Sequence, residues 1–569
     1  MKSINGLKRS TSVMKPLTRM ISCSEPPPTQ TVKVGSEMIT FKNTECRKEI
    51  SLFYYFNIYI DFSITQEFDV LVIGGGCTGT YCAYDAAKRG LKVALVEQED
   101  FASGTSSRST NLLHGGIRYL EQAFTKCDPK SLALVWEALK ERTYLLNEAP
   151  YLAKGIPTVM PLYAYWRIPY VWFGCKLYDF IAGKRSPLPG ARFIGKKEII
   201  ESFPYLNENK LKGGILYYDG QHDDARHDLM IALTALQNGA ELSNYVKNSE
   251  NKLCGANVTD VLTGNSFDIK SHIVVNACGV FGDTIRKMDD PKEESLIIPA
   301  SGTHIVIDRK YCPEGRGTTD NPSEITMRPY TKGTDVDFIL NEANRLLNVK
   351  LTKDDVKSAF TGIRPLVRNP KAKNTAELVR AHLVHVSPSN LVTIVGGKWT
   401  TTRNMAEETI NKVSELLSKK TSCSTKDSLL TGANEKKQQL IPSEISTTLR
   451  DTYSFPRDIA DHLAHSYGYR AYQIADLAKT ENLGSRLNID YPHIEAEVVF
   501  SCRKEYCCTA IDYIARRSRL SFLDTKVAES VVDKVVSLME KEIPSGFDVE
   551  KQKKDAYDYI NIMKAQNTI

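Results

Sequence analysis

Residues 68–119 read FDVLVIGGGCTGTYCAYDAAKRGLKVALVEQEDFASGTSSRSTNLLHGGIRY. The run Phe68 to Ile73 is short, rich in valine and isoleucine and ended by glycine, the pattern of a buried strand. Gly74, Gly76 and Gly79 follow in a G-x-G-x-x-G spacing, residues 78–89 read as a helix, and Leu91 to Val96 read as a second buried strand that ends in Glu97. Gly74 permits the tight turn, Gly76 lets backbone approach a pyrophosphate, and Gly79 lets helix pack close to strand. The helix start directs unpaired N–H groups and a partial positive charge at the anion. Glu97 comes roughly 20 residues after the glycines, where a carboxylate meets a ribose hydroxyl. Strand, glycines, helix, strand and acid in register predict a dinucleotide site. The acid argues against NADP, whose extra phosphate it would repel.

The residues that follow are unlike a plain crossover. GTSSRST (104–110) and HGGIRY (114–119) supply small hydroxyl side chains and a Gly-Gly pair, which let a flat ring lie near the backbone. Here the chain resembles the FAD-dependent glycerol-3-phosphate dehydrogenases of mitochondrial type. The likeness continues through YYDGQHDDAR (217–226), SGTHIVI (301–307), TGIRPLV (361–367), VGGKWTTTR (395–403) and the stretch 494–523, and so covers most of residues 68–542. It implies an α/β fold: an FAD-binding Rossmann-like domain with an inserted mixed-sheet substrate domain and a C-terminal all-helical domain. The expected division is a transit peptide and flexible segment 1–67; FAD-binding parts 68–165, 273–300 and 356–416; a substrate and membrane-facing region 166–272; a second substrate part 301–355; a linker 417–445; a helical domain 446–545; and a charged, mobile tail 546–569.

The resemblance also implies a reaction. Glycerol 3-phosphate would be oxidised to dihydroxyacetone phosphate, with hydride passing to FAD and electrons to a membrane quinone, in the glycerol phosphate shuttle at the inner mitochondrial membrane. The implied flavin contacts are Gly74, Gly76, Gly79, Glu97, Thr105, Ser106, His114, Gly115, Asp283, Gly396, Gly397 and Thr400. A phosphate substrate needs fixed cations, best supplied by arginine, whose fork binds two oxygens at once. Arg118, Arg364, Arg380 and Lys398 match the basic substrate positions, Arg380 on a looser local match. His304 is the expected base for the C2 hydroxyl, acting with Arg364, although a histidine there equally suits a structural hydrogen bond. His114 and His222 are the alternative bases.

Composition limits the other readings. A chain of 569 residues with 42% hydrophobic and 25% charged residues suits a multidomain globular protein, and a formal charge of +6 does not argue for nucleic acid. Thirteen scattered cysteines without a C-x-x-C pair predict neither a zinc site nor a disulfide framework, which favours a reducing compartment. Residues 1–24 carry five basic and no acidic side chains, as in a mitochondrial transit peptide or a disordered basic tail. No stretch is long and apolar enough to span a bilayer, and SLFYYFNIYIDFSI (51–64) is too interrupted to do so. MPLYAYWRIPYVWFGCKLYDFIAGKR (160–185) mixes aromatic and cationic residues. It suits either a packed core element or a lipid headgroup interface, and the resemblance favours the peripheral membrane contact.

The helical cap is expected to expose Glu495, Glu497, Arg503, Lys504, Arg516, Arg517 and Arg519 as solvated faces. No D-x-[DN]-x-[DN]-G loop is present, so calcium control is not expected. Two departures from the family pattern stand out. Asn276-Ala-Cys-Gly-Val280 replaces a motif close to N-A-T-G-P, and Tyr311 to Gly317 runs directly into Thr318-Thr-Asp320, as though a strand and its loop were missing. The second departure motivates an alternative, a flavin-binding protein without turnover. A related flavin amine oxidase is a further alternative, against which the several cations argue.

Overall fold

The computed structural model describes residues 31–34, 37–40, 67–125, 127–243, 246–250, 255–262, 266–308, 310–311, 321–322, 324–368, 381–434, 440–543 and 546–567. The chain divides into two units, Met1–Tyr54 and Tyr55–Ile569. The first contributes an antiparallel hairpin, Thr31–Val34 with Glu37–Thr40. The basic N-terminal stretch 1–24, the aromatic run 51–64 and the abrupt junction after Gly317 lie outside the described residues.

The second unit is built on the strand Glu67–Ile73, whose apolar residues are buried as their unbroken run predicts. It pairs in parallel with Val93–Val96 on one side and with Ser266–Asn276 on the other. Glu241–Ser243 extends the parallel set beyond Val93–Val96. Val392–Gly396 joins the end of Ser266–Asn276 in parallel, and His382–Val386 returns antiparallel beside it. The glycine helix Cys77–Lys88 packs between helices Asp224–Gln237 and Thr402–Leu416. Its alanines at 83, 86 and 87 are buried, and their small side chains let both neighbours come close.

Two smaller sheets hang from this frame. In one, Gly213–His222 runs antiparallel to Ala153–Leu162 and pairs on its other edge with Leu112–Leu113 and Arg192–Ile194. In the other, Ile297–Ile307 pairs along its length with Val356–Val367, and Asn321–Pro322 adds a short edge. Helix Pro129–Glu148 begins with an Asp128 cap and Pro129, as such starts favour. It buries Val135 and Leu139 but leaves Leu132 and Trp136 exposed, so Trp136 is not a core residue. Helix Gly333–Leu346 likewise turns Val336, Ile339 and Leu340 inward, while Phe338 and Leu346 face solvent.

The C-terminal region departs most from the sequence reading. Glu495, Arg503 and Lys504 are at least partly open, but Glu497, Arg516, Arg517 and Arg519 are buried rather than solvated. Arg516 and Arg517 lie in a widened π-helical turn, Asp512–Arg517, and both bond Asp100 in the segment just after the second flavin-domain strand. Burial alone would raise the Asp100 carboxyl, but the two guanidinium groups outweigh it and hold the group low. Arg519 donates to the Ser107 carbonyl at 2.7 Å and pairs with Asp224 at 3.1 Å. Glu505 accepts from Arg226 at 3.0 and 3.2 Å and from Arg470 at 2.7 Å. The final segment is no mobile tail: helix Val549–Asn561 buries Tyr559 and Ile560, and the Met563 carbonyl accepts the Ala359 N–H at 2.8 Å. Within 417–445, Leu430 and Ala433 are buried, and the Tyr151 hydroxyl donates to the Thr431 carbonyl at 2.5 Å.

Burial pushes the Glu505 carboxyl up, yet Arg226 and Arg470 outweigh it and bring it to about 2. A folded value below the unfolded one gives stability that is complete above about pH 4.5 and is lost as pH falls toward 2. Glu505→Gln strands two buried arginines and should cost about 3–5 kcal/mol. Denaturant unfolding of both chains between pH 2 and 7 checks this. The gap should close toward acid, and a difference below about 1 kcal/mol at pH 7 contradicts the buried-ion account.

Candidate active site

The ends of the three central strands and the start of the glycine helix open onto a cavity of about 1390 Å³. That exceeds the usual range for a single small ligand, about 300–1,000 Å³, and leaves room for a dinucleotide beside a small substrate. Ile73, Gly74, Gly76, Cys77 and Thr78 form its floor. Gly74 adopts φ +108°, and a β-carbon there would lie 2.8 Å from the Ala277 carbonyl oxygen. A β-carbon at Gly79 would overlap the Gly74 carbonyl itself, so the helix can start this close to the strand only with glycine at 79. No side chain caps the helix from Gly76; the Cys77 N–H donates to the Ser106 hydroxyl at 2.9 Å. Thus the positive end of the helix faces the cavity.

Glu97 lies at the cavity edge, at the end of the second strand. Its two oxygens accept the Gly75 N–H at 2.6 Å and the Glu99 N–H at 3.0 Å. Burial pushes its carboxyl up against these two donors. The loop Ser103–Thr110 forms one wall, with His114 and Gly116 beyond it. Thr105 donates its hydroxyl to the Ile363 carbonyl at 2.5 Å, which ties this wall to the third sheet. Opposite stand Gly396, Gly397, Lys398, Trp399 and Thr400. The indole N–H of Trp399 reaches across to the Ser106 carbonyl at 3.0 Å. Thr400 lies in a single 3₁₀ turn, and the following helix starts at Thr402 with Thr401 as its cap.

The cations reach the cavity from separate elements. Ile297–Ile307 and Val356–Val367 pair with Ala300 opposite Arg364 and His304 opposite Phe360. Side chains alternate along strands, so His304, Phe360 and Arg364 share one face. Both His304 and Arg364 line the cavity. The His304 ring is buried and stacked on Phe360 at 4.9 Å between centroids. Gly302 lies directly under Arg364: a β-carbon there would come within 2.7 Å of the guanidinium nitrogens. Lys398 Nζ sits 4.4 Å over the Tyr119 ring, which draws it to the HGGIRY turn. Arg364, Lys398 and His304 therefore meet around one space although they stand far apart in the chain.

Other expected residues fall elsewhere. Gly115 is outside the lining; its N–H donates to the Tyr178 hydroxyl at 2.7 Å, which in turn donates to Asp219, held by Arg142 at 2.6 Å. Asp283 is also outside the lining. It accepts the Leu296 and Ile297 N–H groups and pairs with Arg286, so it braces a chain turn rather than facing the flavin space. Arg118 lies on helix Ile117–Thr125, but its side chain is outside the described residues, as is all of Arg380. His222 does not itself line the cavity; it is buried behind the lining residue Trp399 at 4.5 Å between rings and beside His227, and burial drives its imidazole far below the ordinary range. Arg108 was not singled out from the sequence, yet it lines the cavity and binds the Ser103 and Gly104 carbonyls at 2.5 and 2.8 Å. Its place inside GTSSRST was the available signal.

The residues fit FAD. The glycine cradle admits backbone to a diphosphate, Glu97 lines the cavity at the end of the second strand, and Gly116, Gly396 and Gly397 line it without side chains. Residues 69–409 match the sequence profile of the FAD dependent oxidoreductases, and 423–548 match that of the C-terminal domain of alpha-glycerophosphate oxidase. The chain is 43% identical over 553 residues to the probable mitochondrial glycerol-3-phosphate dehydrogenase of Caenorhabditis elegans, covering 90% of this chain and 76% of that one. The Rattus norvegicus mitochondrial enzyme is 43% identical over 522 residues, covering 84% and 71%. The glycerol-3-phosphate dehydrogenase of Bacillus halodurans, solved with FAD, superposes with a TM-score of 0.70 at 25% identity, covering 91% of this chain and 99% of that one. By these matches along most of its length, with the glycine cradle, Arg364 and Lys398 on one cavity, the chain belongs to the FAD-dependent glycerol-3-phosphate dehydrogenase family, in its mitochondrial branch.

Proposed function

We propose that this chain oxidises sn-glycerol 3-phosphate to dihydroxyacetone phosphate at a membrane surface. The observation that carries the reading is the meeting of Arg364, Lys398 and His304 in the cavity that the glycine turn also lines. Arg364 would take the substrate phosphate through its fork, and Lys398 would add a second charge from the opposite wall. His304, its ring fixed by Phe360, would accept the C2 hydroxyl proton as the C2 hydride departs. Gly74, Gly76, the helix start, Glu97, Ser106 and Gly397 would hold the flavin, while Trp399 closes the slot from water. FAD held there would supply the hydride acceptor, and a membrane quinone is the proposed final acceptor of the electrons.

The membrane part of the proposal rests on helix Arg167–Ala182 and the residues before it. Only Cys175, Tyr178 and Ile181 of that helix are buried. Tyr165, Trp166, Phe173 and Phe180 are 69%, 72%, 66% and 78% exposed, too much contiguous aromatic surface for a helix with one dry face. Arg167 lies 5.9 Å from the Trp166 ring and Lys176 5.9 Å from the Trp172 ring, which suits an interface of acyl chain and headgroup. Among the described residues no helix is long and apolar enough to cross a membrane, so the contact would be peripheral. The names of the relatives support a mitochondrial site, and the inner membrane follows from the quinone role.

Three outcomes test this. Arg364→Ala should raise KM for glycerol 3-phosphate roughly 10- to 150-fold, the value of one charged hydrogen-bond pair, while the protein stays yellow. Flavin loss with an unchanged KM contradicts the phosphate role. His304→Gln should lower kcat about 100-fold or more with little change in KM; a purely structural histidine would leave kcat intact in the folded, flavin-loaded variant. The double variant Trp172→Asp with Phe173→Asp should move the protein from the membrane pellet to the soluble fraction, and continued sedimentation contradicts the membrane contact.

A further inference from the structure

Away from the flavin cavity, three donor side chains converge in the helical domain. His462 lies on helix Arg457–Tyr467, His493 precedes helix Glu495–Lys504, and Glu497 lies in the first turn of that helix. One ligand atom of each sits within 4.8 Å of the others. His462 Nε2 is 2.7 Å from Glu497 Oε1, and His493 Nδ1 is 3.6 Å from the same oxygen. The two imidazoles meet edge to face at 4.4 Å. None of the three lines the flavin cavity.

His493 supplies the decisive observation. Its side chain is over nine-tenths buried, and its Nδ1 has no hydrogen-bond partner. At 3.6 Å the Glu497 oxygen is too far to satisfy it. A buried nitrogen left so costs about 1–3 kcal/mol unless something else occupies the position it faces. The other two donors are already oriented. Ser466 Oγ lies 3.3 Å from His462 Nδ1, leaving Nε2 to face the cluster, and the second Glu497 oxygen accepts the Ile494 N–H at 2.7 Å. A cleft of about 240 Å³ reaches His462, Ser466, Tyr491 and His493, and Arg226, Arg517 and Arg519 also line it; Glu505, Asp100 and Asp224 pair with these three guanidinium groups and offset their charge.

We propose that His462, His493 and Glu497 bind a divalent d-block cation of the zinc type, with water from the cleft in the fourth position. Two imidazoles and a carboxylate are suitable donors for zinc. Bonds of about 2.1 Å set tetrahedral donors roughly 3.4 Å apart. The 3.6 Å pair already fits, the 2.7 Å pair must open by less than about 1 Å, and the two imidazole nitrogens, within 4.8 Å of each other, must close by up to about 1.4 Å. The ion would tie helix Arg457–Tyr467 to the segment before helix Glu495–Lys504.

The test uses the full-length, flavin-loaded chain, stripped with a chelator and titrated with Zn²⁺ or Co²⁺. One equivalent should bind, Co²⁺ should give the visible absorption of a tetrahedral site, and Zn²⁺ should raise the unfolding temperature. His493→Ala and His462→Ala should each weaken binding at least about 10-fold, with His493→Phe as a packing-preserving second variant. A folded yellow chain that takes up no zinc, or uptake unchanged in all three variants, overturns the proposal.

Discussion

The contact on which the rest of this structure depends is the approach of one helix to one strand. Gly79 sits against the Gly74 carbonyl, with no room for a β-carbon. That closeness presents the first N–H groups of helix Cys77–Lys88 to the cavity and sets where a diphosphate could lie. Every other wall is positioned from this point. Ser106 meets the helix start, Trp399 reaches Ser106, and Thr105 reaches Ile363, one residue before Arg364. The side of the cavity that carries Arg364 is thus tied to the glycine-turn side by single hydrogen bonds.

A second layer of constraint comes from the C-terminal helices. Arg516 and Arg517 close on Asp100, and Arg519 holds the Ser107 carbonyl. These ions bracket the loop that forms the cavity wall. Buried pairs of this kind add little net stability compared with apolar packing, but breaking one partner is expensive. Their effect is to permit one placement of the loop and to penalise others. The helical region accordingly acts as a clamp on the flavin wall, and the final helix extends the clamp through Met563 to the strand that carries Arg364.

How much of this was legible depended on the range of the interaction. The glycine turn is local: its five parts fall within 30 residues, each has a spacing set by backbone sterics, and the observed strands and helix follow the expectation. Arg364, Lys398 and His304 are short motifs far apart, and only the family resemblance suggested their meeting. Asp283 looked like a flavin contact because it follows the third strand, yet two backbone N–H groups ahead of it claim its carboxylate. Arg516, Arg517 and Arg519 were read as solvated because charge usually is. Their flavin-domain partners, Asp100 and Asp224, lie over 290 residues away, beyond any local pattern, although a run of arginines between apolar residues in IDYIARRSRLSFL was a hint that some must face inward. Trp136 and Phe338 show the converse limit: both stand at helical spacing with buried neighbours yet face solvent, because an apolar stripe can be wider than the face that is covered.

The central claim is that one cavity holds both a flavin and a small phosphoester beside its ring. Anaerobic titration of the purified full chain with glycerol 3-phosphate, followed at the flavin absorption band, tests it most directly. Stoichiometric bleaching by glycerol 3-phosphate, and none by amino acids, is the predicted result. A yellow protein that glycerol 3-phosphate never bleaches, or that only an amino acid bleaches, would contradict it.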